Sequence, residues 1–243
     1  MIYKNKIIYR DMKMSDIILN NQFMILVLER FEINLGFGDK TVEDICLDNN
    51  INIEVFLTIS NLFNKSQLNN VTNFNCEDIQ TIIQYLKLSH KYYLEEKYPE
   101  ISNYIQLMIE KNDNSEILMA KKFFKEYKSE VSEHIDYETN IVFPYIIDLF
   151  DKIKNKNNKN KKSNYSVVEY KEHHNDIEEK LTDLKNLLIK HLPQKNDIVI
   201  RRKILFDLFE LEYDLCIHEK IEDNILIPLV EKMEFKIKGF NCE

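Results

Sequence analysis

Glycine and proline are scarce in this chain: 243 residues contain three glycines, four prolines and no tryptophan. So little turn chemistry excludes a many-stranded sandwich, a barrel or a doubly wound sheet, each of which needs frequent tight connections. Long helices remain, and the expected fold class is all-α. Long apolar runs are also missing. Stretches such as Phe23 to Leu28 fall far short of a membrane span or a signal-peptide core, and the first dozen residues mix Lys, Asn, Arg and Asp. Nor is there an excess of positive charge: 41 acidic residues against 33 Lys plus Arg give a net charge of -8, which argues against a surface built to neutralise phosphates. The expectation is a cytoplasmic protein with neither nucleic acid nor a membrane as partner. Cys46, Cys76, Cys216 and Cys242 have no ligand-type spacing and read as buried or incidental thiols.

What the chain does have is helical periodicity. Ala120, Phe124, Tyr127, Val131, His134, Glu138, Ile141 and Tyr145 step by alternating threes and fours, as one core-facing helix face does. Ile204, Leu208, Leu211, Leu215, His218, Glu222, Ile225 and Leu229 repeat that walk. Val167, Tyr170, His174, Ile177, Leu181, Leu184 and Leu188 form a third seam, and Ile79, Ile83, Leu86, His90 and Leu94 a fourth. Turn chemistry separates them, at Asn112-Asp113-Asn114-Ser115 and at Pro193-Gln194-Lys195-Asn196-Asp197, while Asn75 with Asp78 suits a helix start. Lys154 to Lys162 is a Lys/Asn tract with no apolar residue to dock, and reads as a loop. Residues 1–70 contain shorter segments and a sharp turn at Gly36 and Gly38, which suggests a small helical domain ahead of a bundle spanning 71–243.

Each of the four seams carries one histidine where Leu or Ile is expected, and two add a glutamate one turn later. Such groups are costly in a dry core unless something binds them. His90 and His134 are 44 residues apart, as are His174 and His218, and the two pairs are offset by 84 residues. The sequence repeats at that offset: His134-x-x-x-Glu138-x-Asn140-Ile141-x-Phe143-Pro144 recurs as His218-x-x-x-Glu222-x-Asn224-Ile225-x-Ile227-Pro228. The C-terminal region is therefore read as a duplicated helical hairpin. Helices rise about 1.5 Å per residue, so residues equidistant from a turn lie at one height in an antiparallel hairpin. The midpoints of the histidine pairs fall in the proposed turns, which predicts an up-down-up-down four-helix bundle with all four histidines at one level.

Residues at i and i+4 share a helix face, so His90, His134, Glu138, His174, His218 and Glu222 form the candidate metal-ligand set. One tetrahedral zinc would leave ligands over, whereas two ions can share two bridging carboxylates and take two imidazoles each. Mixed nitrogen and oxygen ligation favours iron, with manganese or zinc ranked below it. Two carboxylates do not neutralise two such ions, so an oxo or hydroxo bridge is expected, with a position left for a small molecule. His173, adjacent to His174 but turned about 100° from it, reads as a surface or supporting residue. His191 reads as a cation at a helix end. Tyr93 and Tyr170, each within a turn of a ligand, are candidates to hydrogen-bond near the metals.

These motifs resemble the hemerythrin-like cation-binding family, whose bundle carries an isolated histidine, a His-x-x-x-Glu, a second isolated histidine and a second His-x-x-x-Glu. The resemblance covers roughly residues 75–235. Oxygen-carrying members hold a fifth histidine one turn from the isolated histidine of the third helix; here Tyr170 and Glu178 occupy the candidate positions. A set of four histidines and two glutamates behind a small N-terminal domain is most similar to the Repair of Iron Centers proteins, of ScdA or YtfE type. Arg30-Phe31-Glu32-Ile33 and Thr41-Val42-Glu43-Asp44-Ile45-Cys46 resemble that family's N-terminal domain, although Leu35-Gly36-Phe37-Gly38 stands where the family has an adjacent cysteine pair.

The resemblance implies a hemerythrin-like di-iron protein that helps repair iron-sulfur clusters damaged by nitric oxide or peroxide. Its expected partners are the small gases NO and O2, or peroxide, and damaged iron-sulfur proteins as clients. The N-terminal domain leaves a homodimer open. The alternative is a module that binds or senses oxygen or nitric oxide at the same centre; a third reading is a non-redox bundle that holds zinc or stores iron. A repair or binding protein is expected rather than a conventional enzyme.

Overall fold

The computed structural model describes residues 6–64, 74–111, 115–154, 165–172, 178–192 and 197–237. Among these residues the regular structure is helical, and Lys13 and Thr41 form an isolated antiparallel bridge. No helix among them is long and apolar enough to cross a membrane. The turns expected at 112–114 and 193–196, the Lys/Asn tract at 155–162, Cys242, His173, His174 and Ile177 lie outside the described residues, as does the domain boundary expected near residue 70.

The chain packs as two compact units. One unit draws on Met1–Leu88, Tyr145–Val167 and Ile217–Glu243. It begins with α1 (Met14–Asn20), α2 (Met24–Arg30), α3 (Val42–Asp48) and α4 (Ile53–Phe63). The turn between α2 and α3 has Gly36 at φ 101° and Gly38 at φ 64°, left-handed values that glycine adopts without steric cost. Thr41 and Asp44 then start α3 with reciprocal hydrogen bonds, a capping box. The core here gathers Met24, Val27, Leu28, Ile45, Val55, Phe56 and Ile59, all with essentially no exposure. A short turn at Cys76–Asp78 leads into α5 (Ile79–Lys91), where the Asp78 carboxylate accepts from the Asn75 N–H at 2.9 Å and from Asn52 Nδ2 at 2.6 Å. That second bond ties the start of α5 to the residue that caps α4.

The other unit draws on Ser89–Pro144 and Val168–Cys216. It contains α6 (Tyr98–Lys111), which packs along α7 (Ser115–Tyr137), together with α10 (Glu178–Asn186) and most of α11 (Ile198–Ile221). Its core is the face read from the sequence: Ala120, Phe124, Tyr127 and Val131 pack with Leu181, Leu184, Leu188, Ile204, Leu208 and Leu211. The remaining helices are α8 (Phe143–Lys154), α9 (Val167–Glu172) and α12 (Ile227–Ile237).

Among the described residues three wide π-helical turns interrupt helices, at Tyr92–Lys97, Glu138–Val142 and Glu222–Leu226, and a fourth, Leu187–His191, ends α10 at the extended Leu192. They displace one of the expected faces. The walk through His134 and Glu138 continues on paper to Ile141 and Tyr145, yet Ile141 is 46% exposed, whereas Val142, Phe143 and Ile146 are buried. The π-turn contains one residue more than an α-turn, so the buried face resumes one position later than a 3.6-residue count predicts.

Candidate metal centre

His90 lies in the last turn of α5, His134 in the last turn of α7, and Glu138 is the first residue of the π-turn that follows α7. His134 and Glu138 are one helical turn apart, and His134 Nε2 lies 3.3 Å from Glu138 Oε1. His90 Nε2 approaches the other oxygen, Oε2, at 3.2 Å. The two oxygens of Glu138 therefore each face a different imidazole.

Around them stand three further groups. Tyr170 on α9, itself buried, donates its phenolic O–H to Glu138 Oε1 at 3.1 Å. Thr139 Oγ1 lies 3.2 Å from His90 Nδ1, and the Phe143 ring stacks on the His90 imidazole with centroids 5.5 Å apart. The ring of His90 is thus held on one edge and one face, with Nε2 directed at Glu138.

The repeated motif builds the same local pair in α11. His218 lies in its last turn, Glu222 opens the next π-turn, and His218 Nε2 is 3.4 Å from Glu222 Oε1. Ligand atoms of His90, Glu138, His218 and Glu222, all four buried, lie within 4.8 Å of one another, a group that can hold a metal ion. His134 joins through its contact with Glu138 and is less enclosed, its side chain 17% exposed. His174, the sixth expected ligand, lies outside the described residues.

The group suits a cation on physical grounds. Glu138 is fully buried, and its Oε2 accepts no hydrogen bond among the described residues. A buried carboxylate without full hydrogen bonding is costly, and two of them close together repel unless a proton or a metal ion lies between them. Imidazole nitrogens and carboxylate oxygens are ligand types shared by iron, manganese and zinc. The donor set fits a metal ion.

Of the surrounding groups, the sequence singles out Tyr170, and Tyr93 is buried in the core of the second unit. His191 ends a π-turn and is exposed. Sequence reasoning missed Thr139 and Phe143. The repeat contains a signal for Phe143, because Phe143-Pro144 is matched by Ile227-Pro228. It contains none for Thr139, whose counterpart is Asp223. No protein-family model matches the chain, and no curated protein matches it.

Proposed function

We propose that this protein is a hemerythrin-like di-iron protein, with an up-down-up-down four-helix bundle behind a small N-terminal helical domain, that acts in the cytoplasm in repair of iron-sulfur clusters damaged by nitric oxide or peroxide. The observation that carries the reading is Glu138, whose two oxygens each face a separate imidazole while the whole carboxylate is buried. A carboxylate so placed suits the bridge between two metal ions, and the repeat supplies a second His-x-x-x-Glu pair at His218 and Glu222. The ligands assigned are His90, His134, Glu138, His174, His218 and Glu222. When bound, iron supplies redox chemistry and a binding position for a small gas.

The chain's own residues have definable tasks. For Nε2 of His90 to bind metal, the ring proton must sit on Nδ1, and Thr139 Oγ1 is placed to accept it. Tyr170 orients Glu138 through its Oε1. Burial of the carboxylates keeps bulk water from competing for the ligands. In this reading iron is the cargo supplied to the damaged protein, and NO, O2 or peroxide are the small molecules met at the centre.

The test is recovery of an iron-sulfur enzyme inactivated by nitric oxide, with and without this protein. Wild type is expected to speed recovery, and His134→Ala and Glu222→Ala to lose that effect. Equal recovery with the variants would refute the repair function. Zinc bound in place of iron, with no response to reductant, would favour a structural bundle.

A further inference from the structure

The chain has four prolines, Pro99, Pro144, Pro193 and Pro228. In sequence each stands two residues beyond the end of one of the four π-turns, which close at Lys97, Val142, His191 and Leu226. The residue before each proline donates its backbone N–H five residues back: Tyr98 to Tyr93, Phe143 to Glu138, Leu192 to Leu187 and Ile227 to Glu222. In a regular α-helix the proline ring would collide with the carbonyl four residues earlier, and that carbonyl would lack its N–H donor. Where the helix continues through the proline, at Pro99, Pro144 and Pro228, opening the preceding turn by one residue relieves the collision.

Two of the four turns start at a carboxylate of the metal centre, at Glu138 and Glu222. These two are also the pair related by the 84-residue offset, and their prolines follow at the same distance. A π-turn adds one residue's worth of helix, about 100° of rotation and about 1.5 Å of rise. It thus fixes the angular phase between the ligands before it and the buried residues after it. In the first repeat the residue just past the turn is Phe143, which stacks on His90.

We infer that Pro144 and Pro228 are positioning residues for the metal centre: each enforces the π-turn that lets the His-x-x-x-Glu pair face the metal while the following helix keeps its core face. This inference rests on the metal reading of the site. Neither proline offers a ligand atom, so the role of each is to place the carboxylate that precedes it.

The experiment uses cobalt(II) alone as the probe, with the full chain and its Pro144→Ala, Pro228→Ala and Pro99→Ala variants. Cobalt affinity is measured by competition with a chelator, and the cobalt absorption spectrum reports the ligand arrangement. Removing a helix-interior proline favours the regular helix, so the melting temperature of the metal-free Pro144→Ala and Pro228→Ala proteins is expected to hold or rise. Their cobalt affinity is expected to fall by about tenfold or more, with a changed spectrum, while Pro99→Ala binds as wild type does. Deleting Asn140 in the Pro144→Ala background removes the extra residue and restores the phase, and is expected to recover the affinity.

Wild-type affinity and spectrum in Pro144→Ala and Pro228→Ala would overturn the inference. So would a loss of binding accompanied by a lower metal-free melting temperature, or a failure of the Asn140 deletion to restore binding. Absence of cobalt binding by wild type would instead overturn the metal reading, and the inference with it.

Discussion

The Tyr170 hydroxyl donates to Glu138 Oε1 at 3.1 Å, on the same carboxylate oxygen that faces His134. This bond gives the buried carboxylate a neutral donor and fixes its rotation. Tyr170→Phe deletes the donor and leaves the ring packing intact. Supporting partners of metal ligands are worth roughly 10- to 100-fold in metal affinity, and a tenfold loss is expected here. Chelator competition on the variant checks it, with His191→Ala as an exposed histidine that should change nothing.

Metal and stability are linked. Any ion that binds the folded chain alone stabilises it, by about 2.7 kcal/mol at a free concentration one hundred times Kd. For a chain of this length that corresponds to a rise in Tm of roughly 5–10 °C. Wild type should show this difference between chelated and iron-loaded samples, and His134→Ala and Glu222→Ala should largely abolish it. Differential scanning calorimetry of the three proteins checks it.

Apart from the candidate metal site, the second unit contains a buried lysine among acids. Lys97 Nζ lies 2.7 Å from Glu210 Oε1, 3.3 Å from Glu100 Oε2 and 3.4 Å from Asp207 Oδ1, and Tyr92 donates to Glu210 at 2.5 Å. Burial disfavours the charge on Lys97, but the hydrogen bond to Glu210 and attraction by its anionic neighbours outweigh that and hold its pKa above the ordinary lysine value. Lys97→Met leaves the acids uncompensated. The expected loss is about 2–3 kcal/mol, less than for a fully enclosed pair because Glu210 is one-third exposed. Urea unfolding at pH 7 checks it, and adding Asp207→Asn should return part of the loss.

Cys46 on α3 is 1% exposed, and burial, followed by the charge of Glu43, pushes its thiol up to about 12. Below the ordinary thiol range both the folded and the unfolded chain hold Cys46 neutral, so the stability it contributes in that form is fully present there. Above that range the unfolded state is favoured progressively, and the stability this thiol contributes while neutral is lost as pH rises through about 12. In the native protein at pH 8, Cys46 should resist iodoacetamide and react only on unfolding. Mass mapping of alkylated peptides checks it.

The all-helical class was legible because few glycines and prolines leave little else, and the seams through Phe124, Leu184 and Leu208 needed only counting. The duplicated His-x-x-x-Glu pairs were legible for the same reason: spacing within one helix turn survives whatever surrounds it. What counting missed lies just past Glu138, where Ile141 is exposed and Val142 and Phe143 are buried. A 3.6-residue period assumes an uninterrupted α-helix, and Pro144 breaks that assumption two residues beyond the turn it widens. The contact of His90 with Thr139 spans 49 residues of sequence and has no trace in the repeat. Such pairings depend on how helices meet, which periodicity does not encode.

Iron content and visible absorption of freshly purified protein, before and after dithionite, test the central claim most directly. The account predicts about two irons per chain, with an absorption band that bleaches on reduction and is lost in a variant lacking both glutamates, Glu138→Ala with Glu222→Ala. Zinc or no metal, persisting after anaerobic reconstitution with ferrous iron, would contradict it.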